Sequence, residues 1–339
     1  MKKAFRLFAI ALAVSFVLLT AGTLSVKKDS VNYGEIYDHF AKLVNVGQSD
    51  IQAELPQRTD ISSFKEITDD DYVVYQLNEF NTIELYLQGC NAELREVEGS
   101  DKLIISYDYP SELNKKTAVH TAVKGGTLFV QNEFKDDNTQ YNGDISVTIN
   151  IPDSFKGGYT LNGENCVYIL ESPESAMNFE MNIVNSSVTA GNITAENVSV
   201  KLNDSKADIE RITSEESVLI NAVSSQITLN GSSAVYTTAS ASSSALNIFG
   251  INGSFNLNSD FSRVALDFSN ISGNLQLDLS KTQADVSIPK NTDAVLRYDG
   301  SYSSLKNNTS LRYADEENKN NLYFVETYSD FSIVSFAEK

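Results

Sequence analysis

The sequence predicts an all-β protein: a single-stranded β-solenoid of about seven to eight coils of ~20 residues, capped by N-terminal hairpins and preceded by an N-terminal membrane helix. Three observations predict it. Alternating apolar segments begin at Tyr159, Phe179, Val198, Val218, Val235, Phe255, Leu275 and Val295, at steps of 20, 19, 20, 17, 20, 20 and 20 residues. A second apolar column (Tyr168, Val188, Ala207, Ile227, Ala245, Val264, Ala284) and a third (Ile193, Ile212, Gly231, Ile251, Ile271) keep nearly the same phase. Within a segment the apolar residues alternate, as a half-buried strand requires, where a helical repeat would place them at i, i+3, i+4 and i+7. An antiparallel sandwich also has short alternating strands, but it does not require three columns in phase.

The first element, residues 1–28, reads as a secretory signal or a signal anchor. Lys2, Lys3 and Arg6 precede Leu7–Val26, twenty residues without a charge, and Lys27 and Lys28 close the run. Twenty apolar residues in a helix span about 30 Å of hydrocarbon. Thr20-Ala21-Gly22 makes a poor cleavage site, which favours retention of residues 7–26 in the membrane over secretion after cleavage. The excess of cations before the span places the bulk of the chain outside the cytoplasm.

Residues 29–71 read as a tether. Ile36, Phe40, Leu43 and Val44 mark one face of a short helix that Gly47 can stop, and a polar stretch containing Pro56 follows. Asp69-Asp70-Asp71 lacks the alternating ligand offsets and the glycine of a calcium loop, so it reads as a solvated charge run. Residues 72–158 read as hairpins: Ile83, Leu85 and Leu87 alternate, as do Leu103, Ile105 and Tyr107, and Leu128 and Val130 follow Gly125-Gly126. They are expected to cover the open strand edge of the stack formed by residues 159–305. In residues 306–339 the segments Leu322–Val325 and Phe331–Val334 read as strands that cover the opposite end.

Composition narrows the function. The formal net charge is −19 and becomes −22 without the three cations of the first 26 residues, which argues against a nucleic-acid partner. His39 and His120 lie in different regions and no ligand set converges on them, so neither a metal nor another cofactor is expected. The acids Asp204, Asp208, Glu210, Asp260, Asp267, Asp278 and Asp285 could in principle serve a polysaccharide-cleaving β-helix. Against that, the connections are too short to wall a cleft and there is no Trp to stack sugars. The two cysteines, Cys90 and Cys166, admit two readings: a bridge between the hairpins and the first coil, or two small buried hydrophobes.

Some motifs are shared with a known family. Phe80-Asn81-Thr82-Ile83-Glu84-Leu85, Ser146-Val147-Thr148-Ile149-Asn150-Ile151-Pro152, Ile271-Ser272-Gly273-Asn274-Leu275 and Asp285-Val286-Ser287-Ile288-Pro289 lie between Tyr75 and Leu305. This stretch resembles the bacterial putative-adhesin family of envelope β-solenoid proteins. The resemblance implies a solenoid displayed at the cell envelope, in some members linked to envelope stress, and it supplies no catalytic residues.

The sequence therefore leads to a non-enzymatic, extracytoplasmic protein that binds an envelope protein or glycan through a rigid face. An envelope-stress sensor acting with a membrane partner is the alternative, and a polysaccharide-active enzyme the third. Of the aromatic residues that could stand outside the coil (Tyr236, Phe249, Phe261 and Phe268), Phe261 and Phe268 are the expected surface contacts.

Overall fold

Each coil turns a fixed set of side chains inward. In the coil that begins at Val198, the first strand buries Val198, Val200 and Leu202, the second Ala207 and Ile209, and a short third Ile212, all at most 1% exposed. Burying each large apolar side chain contributes about 1.5–3 kcal/mol. The computed structural model of the chain describes residues 55–60, 63–67, 72–108, 117–134, 145–290, 292, 294–313 and 323–339. The expected membrane helix over 7–26, the helix beginning near Ile36, His39 and Asp69–Asp71 lie outside the described residues. Among the described residues no helix is long and apolar enough to cross a membrane.

Equivalent strands stack in parallel and in register. The first-strand column runs Leu128, Ile83, Tyr159, Phe179, Val198, Val218, Thr237, Phe255, Leu275, Val325 and Leu296. The second-strand column runs Val147, Ala92, Tyr168, Val188, Ala207, Ile227, Leu246, Val264, Ala284, Val334 and Leu305. The third face is confined to the middle coils, where Ile193, Ile212, Ser232 and Ile251 succeed one another.

Both ends of the stack depart from chain order. Thr82–Gln88 and Asn91–Val97 do not form a hairpin. They make a full coil, in parallel register with Gly158–Glu164 and Val167–Leu170 on one side and with Thr127–Phe134 and Ser146–Pro152 on the other. At the far end, Tyr323–Asp330 and Ile333–Glu338 do not cover the stack. They insert between the coil of Leu275–Ser280 and Gln283–Ile288 and that of Ala294–Ser301 and Ser304–Asn308. A parallel pair rewards any strand of matching length and pattern, so distance along the chain does not decide which coil is the neighbour.

Antiparallel strands do appear outside this stack. Thr117–Lys124 pairs with Thr127–Phe134, Lys102–Asp108 with Ser146–Pro152, and Tyr72–Gln76 with Lys102–Asp108. A run of ring contacts leads from these strands into the first column: Tyr75 to Phe80, Phe80 to Phe155, Phe155 to Tyr159 and Tyr159 to Phe179, at centroid distances of 6.4, 5.5, 5.5 and 6.0 Å.

Five column positions differ from the sequence reading. Thr237 stands in place of Val235, Leu246 in place of Ala245, Ser232 in place of Gly231, Phe268 in place of Ile271 and Leu296 in place of Val295. Val235 is 52% exposed because the register shifts between Ser233 and Tyr236, which turns Val235 out at the corner.

Candidate functional site

In ten coils the first strand turns into the second through one residue in the left-handed region. In spatial order these are Gly89, Asn165, Asn185, Asp204, Ser224, Ser243, Phe261, Lys281, Phe331 and Tyr302, with φ between 48° and 63°. Gly tolerates this conformation freely and Asn and Asp adopt it through local hydrogen bonds, whereas a bulky side chain costs roughly 1–2 kcal/mol there. The first six corners carry Gly, Asn, Asn, Asp, Ser and Ser. The next four carry Phe, Lys, Phe and Tyr.

The backbone does not impose that change. The corner N–H donates to a carbonyl of the next coil from Asn185 (to Asn203, 3.0 Å) through Phe261 (to Ser280, 3.0 Å) and Lys281 (to Asp330, 2.8 Å) to Phe331 (to Ser301, 3.0 Å). Behind it runs a buried hydroxyl ladder: Ser186, Ser205, Ser225, Ser244, Ser262, Thr282 and Ser332. The Ser225 hydroxyl donates to the Val223 carbonyl at 2.6 Å and accepts from the Ser205 N–H at 3.1 Å, and the pattern repeats coil by coil. Cys90 and Cys166 fill the first two rungs. Their sulfurs are 3.8 Å apart and hydrogen-bonded, and both are free thiols. That hydrogen bond, and then burial, hold the Cys90 thiol well above its ordinary pKa, so it is not a reactive thiolate.

On this fixed edge the last four corners make an exposed, largely aromatic ridge. Tyr302 stacks on Phe331 at 4.9 Å and 10°, and Lys281 Nζ lies 4.7 Å from the Phe261 ring centroid. Phe261 and Phe331 are each 42% exposed and Tyr302 79%, and outward-facing Tyr328 and Ile333 flank Phe331 on its own coil. Four levels at the strand spacing of about 4.8 Å give a ridge roughly 14 Å long. Rigid aromatic edges with an ammonium group among them can bind a partner at small entropic cost.

Phe261 belongs to this ridge; Phe268 does not. Phe268 is fully buried, paired with Ile251 and edge-on to Phe255 at 5.7 Å and 88°. The alternation Val264, Leu266, Phe268 turns it inward. Lys281, Phe331 and Tyr302 were missed, although the sequence marks them: each precedes the Ser or Thr of a rung, as in Asp204-Ser205, Phe261-Ser262, Lys281-Thr282, Tyr302-Ser303 and Phe331-Ser332.

The acids do not converge. Asp204 is a corner residue, Asp208 pairs with Lys206 at 2.7 Å on the second face, Asp267 pairs with Lys339, Asp278 stands on the first face and Asp285 on the second. Among the described residues no group of three or more His, Cys, Asp or Glu is placed to hold a metal ion. His120 lies in the antiparallel strand Thr117–Lys124.

Comparison with known proteins gives a family and several distant solved structures. The family model described as Toastrack DUF4097 matches residues 80–329. No curated protein matches the chain. Among solved structures, a "putative adhesin" of Bacteroides fragilis is 12% identical, with 79% of this chain and 98% of that one covered and a TM-score of 0.41. A "putative adhesin" of Parabacteroides distasonis is 14% identical, with 81% and 98% covered and a TM-score of 0.39. A "putative lipid binding protein" of the same species is 14% identical, with 80% and 99% covered and a TM-score of 0.35.

Proposed function

The chain belongs to the Toastrack DUF4097 family, and from that premise we propose that it is a non-enzymatic binding protein of the bacterial envelope. It stands outside the cytoplasm, held to the membrane by residues 7–26, and meets an envelope component through the corner ridge of Phe261, Lys281, Phe331 and Tyr302. One observation carries this reading: at four consecutive corners the chain places bulky side chains in a conformation that Asn, Asp or Gly would adopt at lower cost, and it leaves the three rings among them, Phe261, Phe331 and Tyr302, in solvent. Strain held where folding does not need it points to a role outside folding.

The test is a full-length variant carrying Phe261→Asn, Phe331→Asn and Tyr302→Asn. Asparagine already occupies two equivalent corners, Asn165 and Asn185, so the fold is kept: relief of left-handed strain, about 1 kcal/mol per residue, offsets the lost stacking of about 0.5–1.5 kcal/mol. Co-sedimentation with isolated bacterial envelopes should fall at least about tenfold, the loss of roughly one hot-spot cluster, with the melting temperature unchanged. Undiminished sedimentation refutes the reading. A large drop in melting temperature assigns the ridge a structural role instead.

A further inference from the structure

A second surface feature lies on another edge, where the short third face returns to the first strand. Here the corners tighten from coil to coil. Five residues separate the inward Ile212 and Val218, four separate Ser232 and Thr237, and three separate Ile251 and Phe255. The shortening leaves an open recess of about 450 Å³ lined by Ser214, Ser233, Ala234, Val235, Tyr236, Asn252, Gly253, Ser254 and Ser272. That volume falls within the usual range of small-ligand sites, about 300–1,000 Å³.

Two glycines, Gly253 in its lining and Gly273 beside it, are required by close approach between coils. A Cβ on Gly253, whose φ is +115°, would meet the Ala234 carbonyl oxygen at 2.0 Å, and one on Gly273 would meet Ser254 Oγ at 1.8 Å. The wall is apolar: Tyr236 is 63% exposed and Val235 52%. Tyr236 stands in a column whose neighbours are Asn178, Asn197, Ser217 and Ser254.

Apart from Ser214, whose hydroxyl bonds to the Glu196 and Ser217 carbonyls, the polar rim is unengaged. Upstream on the same edge the polar side chains satisfy one another, Ser217 donating to Asn197 at 2.6 Å and Asn197 to Asn178 and Glu216 at 3.3 and 3.4 Å. Among the described residues the side chains of Ser233, Asn252, Ser254 and Ser272 make no such bonds. None of the lining residues is charged, in a chain that is 21% Asp, Glu, Lys and Arg. A phosphate, nucleotide or carboxylate ligand would find no ionic partner there.

An exposed tyrosine ring beside free hydroxyls and an amide, with no charge, matches one ligand chemistry. We infer that this recess binds an uncharged saccharide, whose flat C–H face lies on Tyr236 and whose hydroxyls bond to Ser233, Asn252, Ser254 and Ser272. The site is separate from the corner ridge and stands whether or not the ridge binds a partner.

Calorimetric titration of the full-length protein with two uncharged probes, chitotetraose and cellotetraose, tests it. At least one should bind with a Kd on the order of 1 mM or tighter. Tyr236→Ala should weaken that binding at least tenfold, and Ser272→Ala by a smaller factor. Because Tyr236 is exposed, its removal leaves the fold intact, which an unchanged melting curve verifies. The ridge variant should bind the probe as the parent does, so failure of the ridge and failure of this site are told apart. Absence of binding by both probes at about 10 mM, or binding that survives Tyr236→Ala unchanged, overturns the inference.

Discussion

Thr237 occupies the first inward column between Val218 and Phe255, is 2% exposed, and its hydroxyl has no hydrogen-bond partner. A buried hydroxyl without a partner costs about 1–3 kcal/mol in proteins. Thr237→Val keeps the shape, removes the hydroxyl and restores the column's apolar pattern. It should therefore stabilise the fold by about 1–2 kcal/mol, or raise the melting temperature by roughly 2–8 °C at about 2–4 °C per kcal/mol for a large domain. The assay is urea unfolding followed by circular dichroism, read as a midpoint shift at constant slope. Two controls isolate the effect. Thr238→Val, on the exposed side of the same strand, should change stability by no more than about 0.5 kcal/mol. Val218→Thr, one coil away, should cost about as much as Thr237→Val gains. A neutral or destabilising Thr237→Val, with its controls behaving as stated, would refute the inward placement of an unpaired hydroxyl.

Other consequences can be checked on the same footing. Ile227→Asp places an unpaired carboxylate in the second column, where Ile227 is 1% exposed, and should cost more than about 3 kcal/mol or abolish folding; a parental melting curve would contradict the column. Ser225→Ala removes both bonds of one rung and should cost about 1–3 kcal/mol, while Ser225→Thr should recover most of the loss in the same denaturation assay, since Thr282 already serves as a rung. Cys90 and Cys166 should resist a thiol reagent in the native state and react on unfolding; rapid native labelling would show that the rung is open. Cys90→Ser with Cys166→Ser should preserve stability to within about 1 kcal/mol, because serine fills the equivalent rungs elsewhere.

Much of the architecture is legible in the sequence because a solenoid writes its cross-section into every repeat. Tyr159, Phe179, Val198, Val218, Phe255 and Leu275 all lie in the column their spacing predicts. The anomalous 17-residue step arises from choosing Val235 over Thr237: hydrophobicity favours the valine, while the shortened corner turns it outward. Stacking order is less legible. Thr82–Val97 has the coil's alternation and a Gly-Cys in place of Asn-Ser, and Tyr323–Glu338 has Phe331-Ser332 at its corner, yet neither pattern says which coil will be its neighbour. Phe268 shows the opposite error, since the period-2 rule applied to Val264 and Leu266 already buries it. Of the ridge, hydrophobic pattern alone marks only Phe261 for the surface, because Phe331 falls within the apolar segment Phe331–Val334 and reads as part of a strand. Only the column of residues preceding each Ser or Thr reveals that four bulky side chains share one left-handed corner.

Phe331 stands between Lys281 and Tyr302 only if the C-terminal strands are inserted between two earlier coils. Asp278, Tyr328 and Asp299 are successive outward neighbours in that arrangement. With Cys90 and Cys166 replaced by serine, a cysteine pair at 278 and 328 is one strand spacing apart, about 4.8 Å, and a pair at 278 and 299 is two, about 9.6 Å, beyond the roughly 7 Å reach of a disulfide. Mild oxidation should link the first pair and leave the second free. A link between 278 and 299, with none between 278 and 328, would show coils stacked in chain order and would dismantle the ridge.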